Sequence, residues 1–289
     1  SMQEEIILST LEGKDTLALL PTGGGKSICY QVPGLAMDGL CLVVSPLIAL
    51  MKDQVENLKK RGVKAAAIHS GMHAREIAIA IDNSIYGDLK FLYVSPERLS
   101  SESFRQNLKK MKINLLAVDE SHCISQWGYD FRPPYLQIAE IRPLIGNAPV
   151  LALTATATPG VIDDIQEKLS FREKHVLRKS FERKNLSYVV FREEDKGGRL
   201  LKIISNVKGS GIVYVRNRRK CREVSEFLNS NGIKATYYHA GLEQRIREHR
   251  QEEWMQDRKQ VMVATNAFGM GIDKPGVRFV VHFDLTDSL

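Results

Sequence analysis

The run Pro21-Thr22-Gly23-Gly24-Gly25-Lys26-Ser27 carries the residue types that hold a phosphate chain. Three consecutive glycines can turn successive backbone N–H groups toward one small anion. A helix that begins at Ser27 adds the positive end of its dipole. Lys26 then reaches the β- and γ-phosphates, and Ser27 offers a hydroxyl to magnesium. The first glycine of the usual phosphate-loop pattern would fall at Leu20, so the match is to the Gly-Lys-Ser half. A second constellation, Asp119-Glu120, closes the apolar run Ile113-Asn114-Leu115-Leu116-Ala117-Val118. Two adjacent carboxylates at the end of a buried strand are costly unless a cation sits with them. Asp119 suits the water-mediated magnesium carboxylate, and Glu120 the group that orients or deprotonates an attacking water.

Both constellations need a strand that ends at the ligand. Thr16-Leu17-Ala18-Leu19-Leu20 reads as that strand, and about Ser27 to Leu35 as the helix after the loop. In an open α/β sheet ligands gather outside the carboxyl ends of the strands. That rule puts Gly23, Gly24, Gly25, Lys26 and Asp119 along one edge.

A faint internal repeat extends the plan. Gly62-Val63-Lys64-Ala65-Ala66-Ala67-Ile68-His69-Ser70-Gly71-Met72 resembles Gly232-Ile233-Lys234-Ala235-Thr236-Tyr237-Tyr238-His239-Ala240-Gly241-Leu242, at an offset of 170 residues. The same offset superposes Leu42-Val43-Val44 on Ile212-Val213-Tyr214, and Phe91 to Ser95 on Val261 to Thr265. Short strands spaced by helix-length segments predict repeated βα units and parallel sheets. The phosphate loop maps near Arg192-Glu193-Glu194-Asp195-Lys196-Gly197, where three carboxylates oppose a triphosphate. Only the first half is therefore expected to carry the nucleotide loop, with the second half as the opposing wall. The charged stretch Lys174 to Asn185 reads as the connector between two sheets.

Composition sets bounds. The chain has 289 residues, enough for about two domains. Its 43% hydrophobic and 26% charged residues are those of an ordinary globular protein. Net charge is +7, from 41 Lys and Arg against 34 Asp and Glu. That excess fits either an anionic partner or a simple solubility surface. Four scattered cysteines, at 29, 41, 123 and 221, give neither a zinc pattern nor a disulfide framework. A reducing cytosol is the expected home. The longest apolar stretch, Leu40 to Met51, is interrupted by Ser45-Pro46, which predicts no membrane span. No signal peptide is visible. Both ends read as cuts through structured sequence, so a longer parent protein is expected.

With these elements in order, the chain resembles the superfamily-2 helicases, and specifically the RecQ family of DNA helicases. Thr22-Gly23-Gly24-Gly25-Lys26-Ser27 is similar to motif I, and Val44 to Gln54 to motif Ia. Ser95-Pro96-Glu97-Arg98 resembles motif Ib, Leu153 to Thr158 motif III, and Val263 to Pro275 motif V. The run His122-Cys123-Ile124-Ser125-Gln126-Trp127-Gly128-Tyr129-Asp130-Phe131-Arg132-Pro133 is similar to the aromatic-rich loop that distinguishes RecQ enzymes. Its chemistry agrees: Trp127 and Phe131 offer stacking faces and Arg132 a phosphate or base partner, on a turn marked by Gly128, Pro133 and Pro134.

The resemblance implies two tandem RecA-like α/β domains, residues 1–178 and 179–289, each a mainly parallel sheet flanked by helices. It implies ATP and Mg²⁺ as cofactors. Gln3 resembles the adenine-reading glutamine, and Asp273 of motif V is implied at the nucleotide. His122 joins Lys26, Asp119 and Glu120 among the implied catalytic residues. Ser45, Pro46, Arg98, Arg218 and Thr265 are implied nucleic-acid contacts, with Trp127, Phe131 and Arg132. Three departures stand out. Ser121 replaces the usual alanine, motif IV reads Val215-Arg216-Asn217-Arg218, and no motif VI arginine follows Arg278 to Phe283.

The function implied is an ATP-dependent helicase core moving 3′ to 5′ on single-stranded DNA in repair and recombination, with duplex junctions as further partners. A cytoplasmic location follows, at the nucleoid in a bacterium. An RNA helicase or another superfamily-2 ATPase is the alternative. For the 289 residues alone, a nucleotide- and DNA-binding module with little turnover is another, because the motif VI arginine is missing. No zinc is expected here, since the family's zinc and winged-helix segments lie further on. A P-loop kinase leaves the 170-residue repeat without explanation.

Overall fold

The computed structural model describes residues 1–21, 23–128, 130–179, 185–269, 272 and 274–284. It divides into two compact units, Ser1–Asn185 and Leu186–Leu289.

In the first unit the elements run α1 (Met2–Leu11), β1 (Thr16–Leu19), α2 (Lys26–Ala36), β2 (Leu40–Val44), α3 (Ile48–Lys60), β3 (Ala65–Ile68), α4 (Ala74–Ile85), β4 (Phe91–Val94), α5 (Glu102–Leu108), β5 (Ile113–Val118), α6 (Gln137–Ile141), β6 (Val150–Thr154), α7 (Pro159–Lys168) and β7 (Val176–Arg178). Short 3₁₀ turns at Pro96–Ser100, Ser121–Ile124, Pro133–Leu136 and Arg142–Leu144 complete it. The strands form one seven-stranded sheet in the order β3-β4-β2-β5-β6-β1-β7, every pair parallel.

Helices cover both faces, so the central strands are apolar throughout rather than alternating. Successive side chains still point to opposite sides. Leu17, Leu19, Leu42, Val44, Leu116 and Val118 enter one core, and Ala18, Leu20, Cys41, Val43, Leu115 and Ala117 the other. A buried ion cluster fastens β1 to β6. Asp15, with no exposed side-chain surface, takes Arg142 at 3.0 Å, Arg172 at 3.0 Å and the backbone N–H of Val150 at 2.8 Å. Val176–Arg178, part of the expected charged connector, instead adds a strand beside β1. The central residues of that connector, 180–184, lie outside the described residues.

The second unit contains α8 (Lys196–Asn206), β8 (Ser210–Tyr214), α9 (Arg218–Ser230), β9 (Ala235–Tyr238), α10 (Gln244–Met255), β10 (Val261–Ala264) and β11 (Val277–His282). Its parallel sheet has the order β9-β10-β8-β11, which repeats β3-β4-β2-β5 of the first unit. Equivalent turns close in the same way. Gly62 and Val63 donate to the carbonyls of Lys59 and Leu58, while Gly232 and Ile233 donate to those of Asn229 and Leu228. At the place of the phosphate loop the two halves differ. Asp195 caps α8, its carboxylate accepting the Gly198 N–H at 2.9 Å, so a built-in anion occupies that helix start. Among the described residues, no helix is long and apolar enough to cross a membrane.

Candidate functional site

The phosphate loop leaves the end of β1, where Leu20 donates to the carbonyl of Thr154 at 3.1 Å. Gly25 precedes α2 with φ 74° and ψ 36°, a left-handed geometry that favours glycine. Gly25, the cap residue, has no side chain to offer this helix start, in contrast to Asp195 on α8, which leaves its N–H groups for an external anion. The amide of Gln3 on α1 packs against Gly25, where a Cβ would collide with it, and donates to the Gly24 carbonyl at 3.1 Å. Gln3 is thereby tied to the loop itself. Thr22 lies outside the described residues.

Asp119 and Glu120 follow β5, on the same carboxyl edge of the sheet. Loss of hydration on burial, and then repulsion from Glu120, push the Asp119 carboxyl up to about 6, against the pull of the Lys26 ammonium. Asp119 Oδ1 accepts the Glu120 N–H at 3.0 Å, and the Asp119 carbonyl accepts the buried Tyr135 hydroxyl at 2.8 Å. Ser45, assigned by its motif to nucleic acid, is turned elsewhere. It is buried, and its hydroxyl donates to Asp119 Oδ2 at 3.4 Å. It therefore belongs to the surroundings of the carboxylate, because the end of β2 lies directly beside the end of β5.

Glu120 sits at φ 48° and ψ 45°, a left-handed conformation unusual for a residue with a Cβ. The turn Ser121–Ile124 starts there and brings His122 back to it, with Nδ1 3.4 Å from Glu120 Oε2 and 2.9 Å from Thr154 Oγ1. Thr154 directs its hydroxyl at the carbonyl of Thr156, at 3.2 Å, and receives the Thr156 N–H. Its oxygen is then the acceptor for His122, which places the imidazole proton on Nδ1. Burial holds His122 below its ordinary pKa, so it is neutral at pH 7. The structure thus gathers Lys26, Asp119, Glu120 and His122, and adds Thr154, whose role was hidden in the motif III run.

Two carboxylates and the Ser27 hydroxyl are hard oxygen donors. Mg²⁺ uses such groups when it keeps several waters and is completed by substrate phosphates. The residues present fit that ion. Among the described residues there is no cluster of three or more His, Cys, Asp or Glu groups that would form a separate metal cage.

Beyond His122 the aromatic loop turns outward. Trp127 is 81% exposed, Phe131 half-buried with the Lys168 ammonium 6.0 Å over its ring. Gly128 lies so close to the carbonyls of His122 and Ser125 that a Cβ would meet them at 2.6 and 3.1 Å. Arg132 is engaged by Asp130 at 2.7 Å, so an incoming phosphate must exchange with that carboxylate. Pro46 is half-buried after β2, and Arg98 stands on the turn after β4 with its Nε buried and without a hydrogen-bond partner. In the second unit, Arg218 begins α9 against Gly241, and Thr265 follows β10 at the same carboxyl edge. Asp273 lies outside the described residues.

A family model described as DEAD/DEAH box helicase matches residues 1–165, and one described as helicase conserved C-terminal domain matches residues 195–289. This chain belongs to the DEAD/DEAH box helicase family. Within it, the similarity is to RecQ proteins. The chain is 44% identical over 288 residues to the ATP-dependent DNA helicase RecQ of Haemophilus influenzae, covering 99% of this chain and 46% of that protein. It is also 44% identical over 293 residues to the probable ATP-dependent DNA helicase RecS of Bacillus subtilis, covering 99% and 58%. The chain spans about half the length of the curated relatives it matches. Among solved structures, the Mycobacterium smegmatis helicase Lhr bound to single-stranded DNA and AMP-PNP matches with TM-score 0.71 at 20% identity, over 97% of this chain and 41% of Lhr. Dbp5 of S. cerevisiae bound to RNA and ADP BeF3 matches with TM-score 0.71 at 17% identity, over 98% and 75%. Those likenesses carry the fold, two parallel α/β units flanked by helices. Two buried tyrosines, Tyr30 and Tyr93, whose hydroxyls pair at 3.2 Å, belong to no motif of the sequence. The signal available was Tyr30, one helical turn beyond Ser27 and so on the same face of α2.

Proposed function

We propose that this chain is the motor of an ATP-dependent DNA helicase that moves 3′ to 5′ on single-stranded DNA in repair and recombination. One observation carries the reading: an uncapped helix start after a triple-glycine loop shares a sheet edge with the carboxylates Asp119 and Glu120. In this mechanism the N–H groups of Gly23 to Ser27 receive the phosphates, and the Lys26 charge meets the β- and γ-oxygens. Ser27, and Asp119 through water, would hold Mg²⁺, which would supply neutralising charge at those oxygens. Glu120 takes the proton of the attacking water, and neutral His122, fixed by Thr154, keeps the Glu120 carboxylate oriented. Gln3 serves the adenine side from α1, where its amide is tied to the loop. Trp127, Phe131 and Arg132 contact bases; Arg98, Pro46, Arg218 and Thr265 follow the phosphate chain. Asp273 is assigned to the nucleotide by its motif.

The names of the RecQ relatives and the aromatic loop favour DNA over RNA. The 289 residues by themselves are expected to bind ATP while hydrolysing it slowly, since an arginine of the motif VI type supplies about 10³–10⁵ in rate. Steady-state ATP hydrolysis with single-stranded DNA, single-stranded RNA or neither tests the reading. DNA should stimulate most. Stronger stimulation by RNA would move the chain to the RNA helicases.

A further inference from the structure

Beneath the nucleotide site, an otherwise apolar core contains two pairs of polar side chains that the proposed reaction does not use. Tyr30 on α2 is buried, one helical turn beyond Ser27 and on the same face of that helix. Its hydroxyl lies 3.2 Å from that of Tyr93 on β4, which is also buried, with the two rings edge to face at 6.4 Å. Gln31 follows Tyr30 on α2, and its Nε2 donates to Gln54 Oε1 on α3 at 3.0 Å. Both pairs are thus held by α2, the helix that opens with Lys26-Ser27, and one of them ends on α3, the helix that follows Ser45-Pro46. Tyr93, at the end of the other, precedes the turn that bears Arg98.

The surroundings are apolar: Leu20, Cys41, Val43, Met51, Phe91 and Leu115 share this core. Burying a hydroxyl in such a place yields no stability over a phenyl ring unless it is paired, and even then the net gain is small. Phe91, two positions before Tyr93 on the same face, shows that an unsubstituted ring packs here. What two buried polar pairs anchored on one helix add is direction, because Tyr30 ties α2 to β4 and Gln31 ties it to α3. We propose that Tyr30, Tyr93, Gln31 and Gln54 are positioning residues that couple the nucleotide site at Ser27 to the nucleic-acid face at α3 and the Arg98 turn. A shift of the first turn of α2 when phosphate binds there would move the Tyr30–Tyr93 pair and the Gln31–Gln54 bond with it. The two sites then share one free energy, and the effect is reciprocal.

This inference rests on the proposed function, and one experiment separates the two. The affinity of the intact chain for a labelled single-stranded oligonucleotide is measured with and without Mg-AMP-PNP. Nucleotide affinity is measured in parallel, along with the thermal midpoint. The wild-type chain should change its oligonucleotide affinity about fivefold or more on nucleotide binding. Tyr93→Phe and, independently, Gln54→Leu should bring that ratio below about twofold, with each ligand's separate affinity and the midpoint kept. Phenylalanine preserves the ring, and Gln54 lies on the rim of the core, so the two variants guard against a folding artefact. A wild-type ratio retained by both variants overturns the inference and leaves the function intact. So does a wild-type ratio of one, or a parallel loss of both affinities and the midpoint. Failure of the wild-type chain to bind nucleotide at all overturns the proposed function itself.

Discussion

Replacing Glu120 by glycine should give a more stable protein than replacing it by alanine. At φ 48° and ψ 45°, Glu120 holds a conformation that costs a residue with a Cβ about 1–2 kcal/mol. Glycine escapes that cost but loses about 0.5–1 kcal/mol through the greater freedom of the unfolded chain. Both variants lack the carboxylate, so relief of its repulsion toward Asp119 cancels in the comparison. The remainder favours Glu120→Gly over Glu120→Ala, by about 0.75 kcal/mol at the middle of those ranges. For a unit of this size, Ser1–Asn185, that amounts to about 1.5–3 °C in thermal midpoint. Scanning calorimetry of the two variants reads the difference, and both should be inactive in ATP hydrolysis. At an ordinary position alanine stabilises over glycine by about 0.4–1 kcal/mol. An alanine variant as stable as the glycine variant, or more so, would therefore show that the backbone at Glu120 is relaxed. The carboxylate would then not be aimed by a strained turn.

Three further outcomes follow from the same geometry. Burial works against ionisation of Asp15, yet hydrogen bonds from Arg172 and Arg142 outweigh it and hold the carboxyl at about 2, below the ordinary 3.8. Its contribution, about 2.5 kcal/mol, is full above pH 4 and lost as the pH falls from 4 toward 2. Asp15→Asn, which leaves the largely buried Arg142 unpaired, should cost about 3–5 kcal/mol at pH 7 by denaturant unfolding and flatten that acid limb. Trp127→Ala should weaken single-stranded DNA binding by about 5- to 150-fold while moving the thermal midpoint by no more than about 2 °C; a large midpoint loss with unchanged DNA affinity would make Trp127 a packing residue. Glu120→Gln should keep Mg-ATP affinity and slow single-turnover hydrolysis by about 10²–10⁴-fold, the share of a general base.

The outline of this architecture is written in the local chemistry of the chain. A Gly-Gly-Gly-Lys-Ser run between an apolar stretch and a helical one has few foldings, and α2 begins at Lys26 as that pattern requires. The repeat at an offset of 170 reappears as one strand order in both sheets, because βα units of similar length wind in the same hand. What the sequence left open depends on tertiary neighbours. Ser45 sits in a nucleic-acid motif but faces Asp119, since which side of a strand end a hydroxyl takes depends on the strand paired beside it. The left-handed turn at Glu120 carries no glycine to announce it. The Asp130 partner of Arg132 was within the quoted run, yet a pair two residues apart forms only when the loop folds back. The stretch Lys174 to Asn185 reads as a charged connector, but Val176 and Leu177 are enough to extend the sheet beside β1.

The central claim is that ATP seats its phosphates on residues 21–27 with magnesium at Asp119, and it is tested most directly by calorimetric titration of Mg-ATP into the wild-type chain and into Lys26→Ala. The account predicts saturable binding by the wild type that depends on Mg²⁺, and its loss in the variant with the thermal midpoint of the free protein unchanged. Equal affinity in the two proteins would contradict it.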